Sequence, residues 1–213
     1  MIITYHGGQF IKITQGDTVV AANPFGKGSQ YKPIRFGARI GLVSVNHPDY
    51  NGVDNLSHGE KTPFIISGPG DYEVGGVVVS GVSATAPFGK EGLLNTIYTI
   101  ELEGMRLCML GALAMPELSS EMLQGIGAVD ILFTPISGGD LLSPSDAEKV
   151  AVLLGAKIVI PLLYDGAKSE QLSTFLKESG AEGVAPVEKL TIKKKDLEGK
   201  EGEVVVLEAL LHA

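Results

Sequence analysis

The spacing of apolar residues changes near the middle of the chain, and this change constrains the fold more than any other feature. In the first half, short segments such as 2–5 and 18–21 are rich in β-branched or aromatic residues and are bounded by nearby glycine or aspartate, which is typical of strands. In the second half, helical and strand patterns alternate. Ser143 and Pro144 are a favourable N-cap and first helical residue, and 157–161 predicts the next strand. The sequence therefore predicts a single α/β domain over residues 1–213.

Other segments predict the elements around a functional site. The continuous apolar run at 40–45 predicts a strand buried on both faces. Alternation on either side of Gly104 predicts a hairpin of strands 95–103 and 105–110. We interpret Gly75 and Gly76 as a bend or bulge within a strand at 74–82, and 204–210 as a last strand.

Composition excludes several classes of protein. The formal net charge is −8 and the only cationic run is 193–195, so a nucleic-acid partner bound by bulk electrostatics is not expected. Mean hydropathy is +0.21, yet no run approaches the roughly 18 apolar residues that a membrane span needs. The amino terminus lacks a basic leader followed by an apolar core, and Cys108 is the only cysteine. We therefore expect a cytoplasmic protein with neither a nucleic-acid nor a membrane partner.

Polar residues cluster in one loop, 44–54, directly after the run at 40–45. Functional groups in α/β proteins tend to lie in loops at the carboxyl ends of strands. In this loop His47 and Asp49 are two positions apart, with Tyr50 and Asp54 close by. One interpretation is a metal or acid–base site. The other is that Asp49 follows Pro48 at a turn and accepts backbone N–H bonds as a cap.

Several segments, in order along nearly the whole chain, resemble the metallo-β-lactamase fold superfamily. The similarity is to its branch of small cytoplasmic hydrolases that includes ascorbate-6-phosphate lactonase. The segments that carry it are ITYHGGQ at 3–9, VAANPF at 20–25, GPGDYEV at 68–74, RLCMLG at 106–111, VDILFTP at 129–135 and KIVIPLLY at 157–164. The resemblance implies a four-layer α/β/β/α sandwich, in which two mixed β-sheets lie face to face with helices outside.

The resemblance also implies which residues occupy the family's metal-binding positions. Members hold one or two zinc ions through a His-x-His-x-Asp-His motif, a later histidine, an aspartate after glycine and a last histidine after proline. His47 and Asp49 keep two of these positions. The remaining positions, which would line the former pocket, fall on Val45, Tyr50, Thr85, Ala112 and Leu163. Since catalytic zinc usually has three protein ligands, we expect a zinc site that is largely lost and no cofactor.

Three functions follow as hypotheses. The first is a non-catalytic member that binds a small molecule or a protein partner. The alternative is a metal-dependent hydrolase of a phosphodiester, lactone or amide bond, with His47 and Asp49 as catalytic residues and the metal completed by water, substrate or another subunit. The third is a structural subunit of an oligomer.

We also expect a homo-oligomer, because mean hydropathy is positive and the apolar segment 110–116 could present a contact surface. The rival account is that this segment folds inward, plugs the vacated pocket and leaves a monomer.

Overall fold

The computed structural model describes residues 1–59, 62–89 and 92–210. The strands, in chain order, are β1 Ile2–Tyr5, β2 Ile11–Gln15, β3 Thr18–Ala22, β4 Ile40–Leu42, β5 Phe64–Ile66, β6 Gly70–Val74, β7 Val77–Ala86, β8 Leu93–Leu102, β9 Met105–Met109, β10 Ile131–Pro135, β11 Ile158–Leu162, β12 Leu190–Thr191 and β13 Glu203–Val204. The α-helices are α1 Ser120–Ile126, α2 Pro144–Leu154 and α3 Glu170–Glu178. Single turns of 3-10 helix form at Val53–Leu56 and Lys194–Leu197.

The strands form two sheets, and both are mixed. The first has the order β12-β1-β2-β3-β4-β5, with parallel pairing only from β3 to β5. The second has the order β13-β11-β10-β9-β8-β7-β6 and is parallel from β13 to β9. Parallel pairing places the carboxyl ends of neighbouring strands at one edge of a sheet, where the loops that follow them can meet.

The main hydrophobic core lies between the two sheets and combines side chains from both, such as Ile13, Ile40, Ile100 and Phe133. A second cluster packs the α-helices on the outer face of the second sheet. The outer face of the first sheet is covered by an aromatic cluster and the 3-10 turn at Val53–Leu56. The predicted α/β/β/α sandwich of two facing mixed sheets is thereby confirmed.

The predicted N-cap at Ser143 is confirmed by the structure. The Ser143 hydroxyl accepts a hydrogen bond from the Asp146 backbone N–H at the start of α2. The apolar face of α2 then packs inward through Ala147, Val150 and other buried residues. No described helix is long and apolar enough to span a bilayer.

The structure corrects three predicted strands. Gly75 and Gly76, with φ of 58° and 82°, form the turn between β6 and β7 and are not a bulge, because left-handed residues at both positions suit a two-residue hairpin loop. The strand predicted at 40–45 ends at Leu42, since the Ser44 N–H donates to the Asn23 side chain and leaves the ladder. Of the strand predicted at 204–210, only the start of the segment lies in a strand, β13.

Candidate functional site

The loop that follows β4 is fixed from both sides. The carbonyl of Ser44 accepts a hydrogen bond from the Thr96 N–H of β8 at 2.9 Å. Further along, the Gly52 N–H donates to the carbonyl of Pro24. A Cβ at position 52 would lie 1.8 Å from the carbonyl oxygen of Phe25, so only glycine allows this close approach. The loop therefore presents the side chains between these points in a defined arrangement.

His47 and Asp49 lie side by side in this loop. The Nδ1 atom of His47 is 3.9 Å from Oδ2 of Asp49 and accepts a hydrogen bond from the Asp49 backbone N–H at 3.2 Å. The imidazole also stacks on Phe88, with ring centroids 4.8 Å apart. Because Nδ1 is an acceptor here, the neutral ring carries its proton on Nε2.

The Asp49 carboxylate is held by the segment before β4 in the chain. It accepts hydrogen bonds from the Ser29 hydroxyl at 2.5 Å, the Gln30 backbone N–H at 3.2 Å and the Gln30 side chain at 3.1 Å. A carboxylate offers about four lone-pair sites, so these bonds use most of its capacity. Asp49 thus acts as a cap, as one of the two interpretations predicts, but for a segment about twenty residues away and not for its own turn.

Three of the residues that the resemblance assigns to the family's other metal-binding positions meet in one buried cluster. Val45, Tyr50 and Ala112 pack together with Ala86. Tyr50 is only 3% exposed, and its hydroxyl accepts a hydrogen bond from the Gln9 amide at 3.2 Å. Burial and then the negative charge of Asp49 raise the pKa of Tyr50, so the tyrosine stays neutral. An aromatic ring and small apolar groups therefore fill the space beside His47.

Leu163 and Thr85 are not members of this cluster. Leu163 follows β11 with a φ of 58°, and its backbone N–H donates to the carbonyl of Gly8 and the hydroxyl of Tyr5. Thr85 is exposed on β7 and lines a separate, smaller cavity. The structure therefore does not bring Thr85 to the same place as His47.

A cavity of about 730 Å³, here called the main cavity, opens beside His47 and Asp49. Its lining comes from loops of both sheets and consists of Tyr5, Gly7, Gly8, Gln9, Gln30, Tyr31, His47, Asp49, Tyr50, Phe88, Ser137, Leu141, Leu163, Tyr164, Asp165, Gly166, Gln171 and Ala209. Its size is within the range of about 300–1,000 Å³ that is typical of small-molecule sites.

Sequence reasoning missed two groups of cavity residues. Tyr164 and Asp165 lie in the loop after β11, next to Leu163, so the rule that singled out loop 44–54 could have found them. Gln9 and Tyr31 carry no comparable signal, because neither follows a buried parallel strand in the sequence.

The apolar segment 110–116 turns mostly inward. Leu110, Ala112 and Leu113 are buried, whereas Met115 is 63% exposed. The segment as a whole is therefore not the apolar surface on which the expected oligomer was based, and the oligomeric state stays a prediction.

The donor atoms next to the main cavity do not match a resident catalytic zinc site. Within the three described ranges, no group of three or more His, Cys, Asp or Glu side chains is placed to hold a metal ion. His47 Nδ1 and the Asp49 carboxylate are already engaged in the hydrogen bonds described above. The described part of the chain thus supplies two neighbouring donors at this place, where catalytic zinc usually has three.

Known proteins resemble this chain over most of its length. The sequence model described as "Beta-lactamase superfamily domain" matches residues 2–163. A UPF0173 metal-dependent hydrolase of Thermus thermophilus is 26% identical, over 86% of this chain and 94% of the relative. Another UPF0173 metal-dependent hydrolase, of Anoxybacillus flavithermus, is 25% identical over 78% of this chain and 86% of its own.

Solved structures agree with these sequence relatives. A crystal structure from Thermotoga maritima, assigned as a Zn-dependent hydrolase of the metallo-β-lactamase superfamily, has a TM-score of 0.74. It is 26% identical, with 97% of this chain and 98% of that chain covered. The metallo hydrolase Igni18 of Ignicoccus hospitalis shares the fold, with a TM-score of 0.66 at 15% identity over 98% and 95% of the two chains.

These findings correct one prediction and confirm another. The expectation of no cofactor is wrong, because relatives that match most of the chain are named metal-dependent hydrolases. The resemblance on which the fold prediction depended is confirmed by the match over 2–163 and by the structural neighbours. The chain belongs to the metallo-β-lactamase superfamily.

Proposed function

We propose that this chain is a hydrolase that binds its substrate in the main cavity, and that a divalent metal ion takes part next to His47 and Asp49. The names of the sequence relatives support a metal-dependent hydrolase. The observation that carries the proposal is the position of His47 and Asp49. These two side chains of metal-ligating type have donor atoms 3.9 Å apart and line the main cavity.

Each of the two residues has a hydrogen-bonding site left with which it can contact a substrate. His47 is 36% exposed at its side chain, and with Nδ1 occupied its Nε2–H is free to donate to an oxygen of the substrate. Asp49 is 16% exposed and keeps about one acceptor site beyond its three hydrogen bonds. For His47 to ligate a metal ion, its ring would instead need an unprotonated nitrogen facing the ion. With Asp49 it would then supply two donors, and oxygen atoms of substrate and water would complete the coordination.

The test is hydrolysis by protein that is first stripped with a chelator. Chromogenic substrates with a phosphodiester, a lactone and an amide bond are assayed with and without added Zn²⁺ or Mn²⁺. We expect turnover of at least one substrate that depends on the added ion. His47→Ala should lower kcat/KM at least about 100-fold. The matched control is His58→Ala, because His58 is exposed and does not line the main cavity. Turnover that is the same in chelator, or that survives His47→Ala, would contradict the proposal.

A second candidate is a ligand-binding protein without turnover. The specific observation in its favour is the packing of Val45, Tyr50 and Ala112 into one buried cluster beside His47, which leaves the neighbouring positions without polar ligands. Binding of a compound in the main cavity, without hydrolysis under any of the metal conditions above, would favour this candidate.

A further inference from the structure

We infer that the main cavity selects an organic cation, in which an ammonium or guanidinium group is attached to a flat or hydrocarbon body. The inference rests on the proposed function in one respect, because it takes the organic cation to be the substrate of the hydrolase. It is argued from the charge of the cavity lining and from its aromatic side chains.

The charged residues of the lining are all of one sign. Asp49 and Asp165 contribute carboxylates, and no lysine or arginine is among the described residues that line the cavity. Burial and then the negative charges of Asp49 and Asp165 raise the pKa of the Tyr31 hydroxyl, which lines the same cavity. The negative charge of Asp49 is stabilised by the hydrogen bonds that its carboxylate accepts from Ser29 and Gln30. Asp165 is exposed and makes no hydrogen bond or ion pair with another described residue that would offset its charge.

Aromatic side chains supply the second part of the argument. Tyr31, Phe88 and Tyr164 line the same cavity and are half-buried. The face of an aromatic ring attracts a cation within about 6 Å of its centre. A hydrocarbon body also gains from contact with these rings.

The rings are held in place by neighbours outside the ligand space. Tyr31 stacks on Phe25, with centroids 4.6 Å apart. Tyr164 packs against Tyr5 at 5.7 Å, and its hydroxyl donates to the carbonyl of Leu207. Groups that are already ordered lose little conformational entropy when a ligand binds, so the lining is preorganised for a flat or hydrocarbon group.

Besides the Nε2–H of His47, the N-terminus of α3 would favour an anion, and its neighbours oppose it. Gln171 lies in the first turn of α3, and helix N-termini attract negative charge. The first turn of α3, however, already contains the carboxylate of Glu170. The Ser169 hydroxyl also accepts a hydrogen bond from the Leu172 N–H, so this N–H group is already occupied. An anionic ligand would therefore meet the carboxylates of Asp49 and Asp165 without a lysine or arginine among the described lining residues.

The test compares three small probes that share a benzyl group. Benzyltrimethylammonium is cationic, benzyl alcohol is neutral and benzylphosphonate is anionic. Their affinities are measured by isothermal titration calorimetry with the full chain, in a chelator so that metal ions do not compete. We expect benzyltrimethylammonium to bind with a Kd of about 1 mM or lower and at least about tenfold tighter than benzylphosphonate. Equal or tighter binding of benzylphosphonate, or no binding of the cation, would overturn the inference.

Two substitutions locate the binding. Asp165→Asn should weaken binding of the cation roughly three- to tenfold, because one carboxylate at about 6 Å in a largely solvated site is lost. The matched control is Asp71→Asn, since Asp71 is exposed on β6 and does not line the cavity. Phe88→Leu keeps an apolar side chain but removes the ring. It should weaken binding of the cation more than it weakens binding of benzyl alcohol. If Asp165→Asn and Asp71→Asn had the same effect, the cation would not bind in the main cavity.

The outcome is separable from that of the proposed function. Binding of the cation without any metal-dependent turnover would support the ligand class and contradict the hydrolase. Turnover of an anionic phosphodiester, with no binding of the cation, would support the hydrolase and overturn the ligand class.

Discussion

Replacing Asp49 by alanine should lower the free energy of unfolding by about 2 kcal/mol. The Ser29 hydroxyl is half-buried and donates to the carboxylate at 2.5 Å. Loss of a hydrogen bond to a charged acceptor at such a site costs about 1–1.5 kcal/mol. Gln30 is exposed, and water can replace the acceptor for its backbone and side-chain N–H groups, so each of those bonds adds only a few tenths of a kcal/mol.

The assay is urea unfolding followed by far-UV circular dichroism, with the slope of the transition unchanged. The control is Asp54→Ala, because Asp54 is exposed in the same loop region and accepts no hydrogen bond from a described side chain. We expect the control to stay within about 0.5 kcal/mol of the unmodified chain.

A double-mutant cycle isolates the bond between the two segments. Ser29→Ala and Asp49→Ala together should destabilise less than the sum of the single changes, with a coupling of about 1 kcal/mol. A loss below about 0.5 kcal/mol for Asp49→Ala, with no coupling to Ser29, would refute the conclusion that the carboxylate joins these segments.

Further changes test other parts of the structure. Gly52→Ala should destabilise by about 3 kcal/mol, because its Cβ would lie 1.8 Å from the Phe25 carbonyl oxygen; an unchanged urea midpoint would contradict this, and Gly68→Ala, which has open space, is the control. Tyr50→Phe should cost about 1 kcal/mol, also measured by urea unfolding, since the Gln9 amide loses an acceptor. Burial raises the pKa of the Cys108 thiol from 9.0 to about 12. Its contribution to stability is therefore complete below pH 9 and is lost as the pH rises toward 12, and a thiol reagent at pH 8 should react only after unfolding. Light scattering over a dilution series should give a mass above the monomer's 22.4 kDa; the monomer mass throughout would contradict the expected homo-oligomer.

Local sequence patterns predicted an element correctly where the interaction that stabilises it joins residues close together in the chain. The helix start at Ser143 needs only the Asp146 N–H three residues later, so its prediction is confirmed. The hairpin around Gly104 depends on a turn residue with a φ of 69° and on alternation in its own strands. The turn at Gly75 and Gly76 was missed although it is equally local, because two glycines within an apolar run also fit a bulge.

The sequence by itself thus determined the fold class, the strand before the site, and the two residues of metal-ligating type at 47 and 49. Only the tertiary structure decided what surrounds them. The partners of Asp49 are about twenty residues away, at Ser29 and Gln30, and Asp165 reaches the same cavity from the loop after β11. No spacing rule encodes such contacts, because they depend on how two sheets pack and on which loops their parallel strands bring to one edge. For the same reason, the resemblance predicts that Val45 and Ala112 occupy former metal-binding positions, but only packing shows that Tyr50 joins them in one cluster and contacts His47.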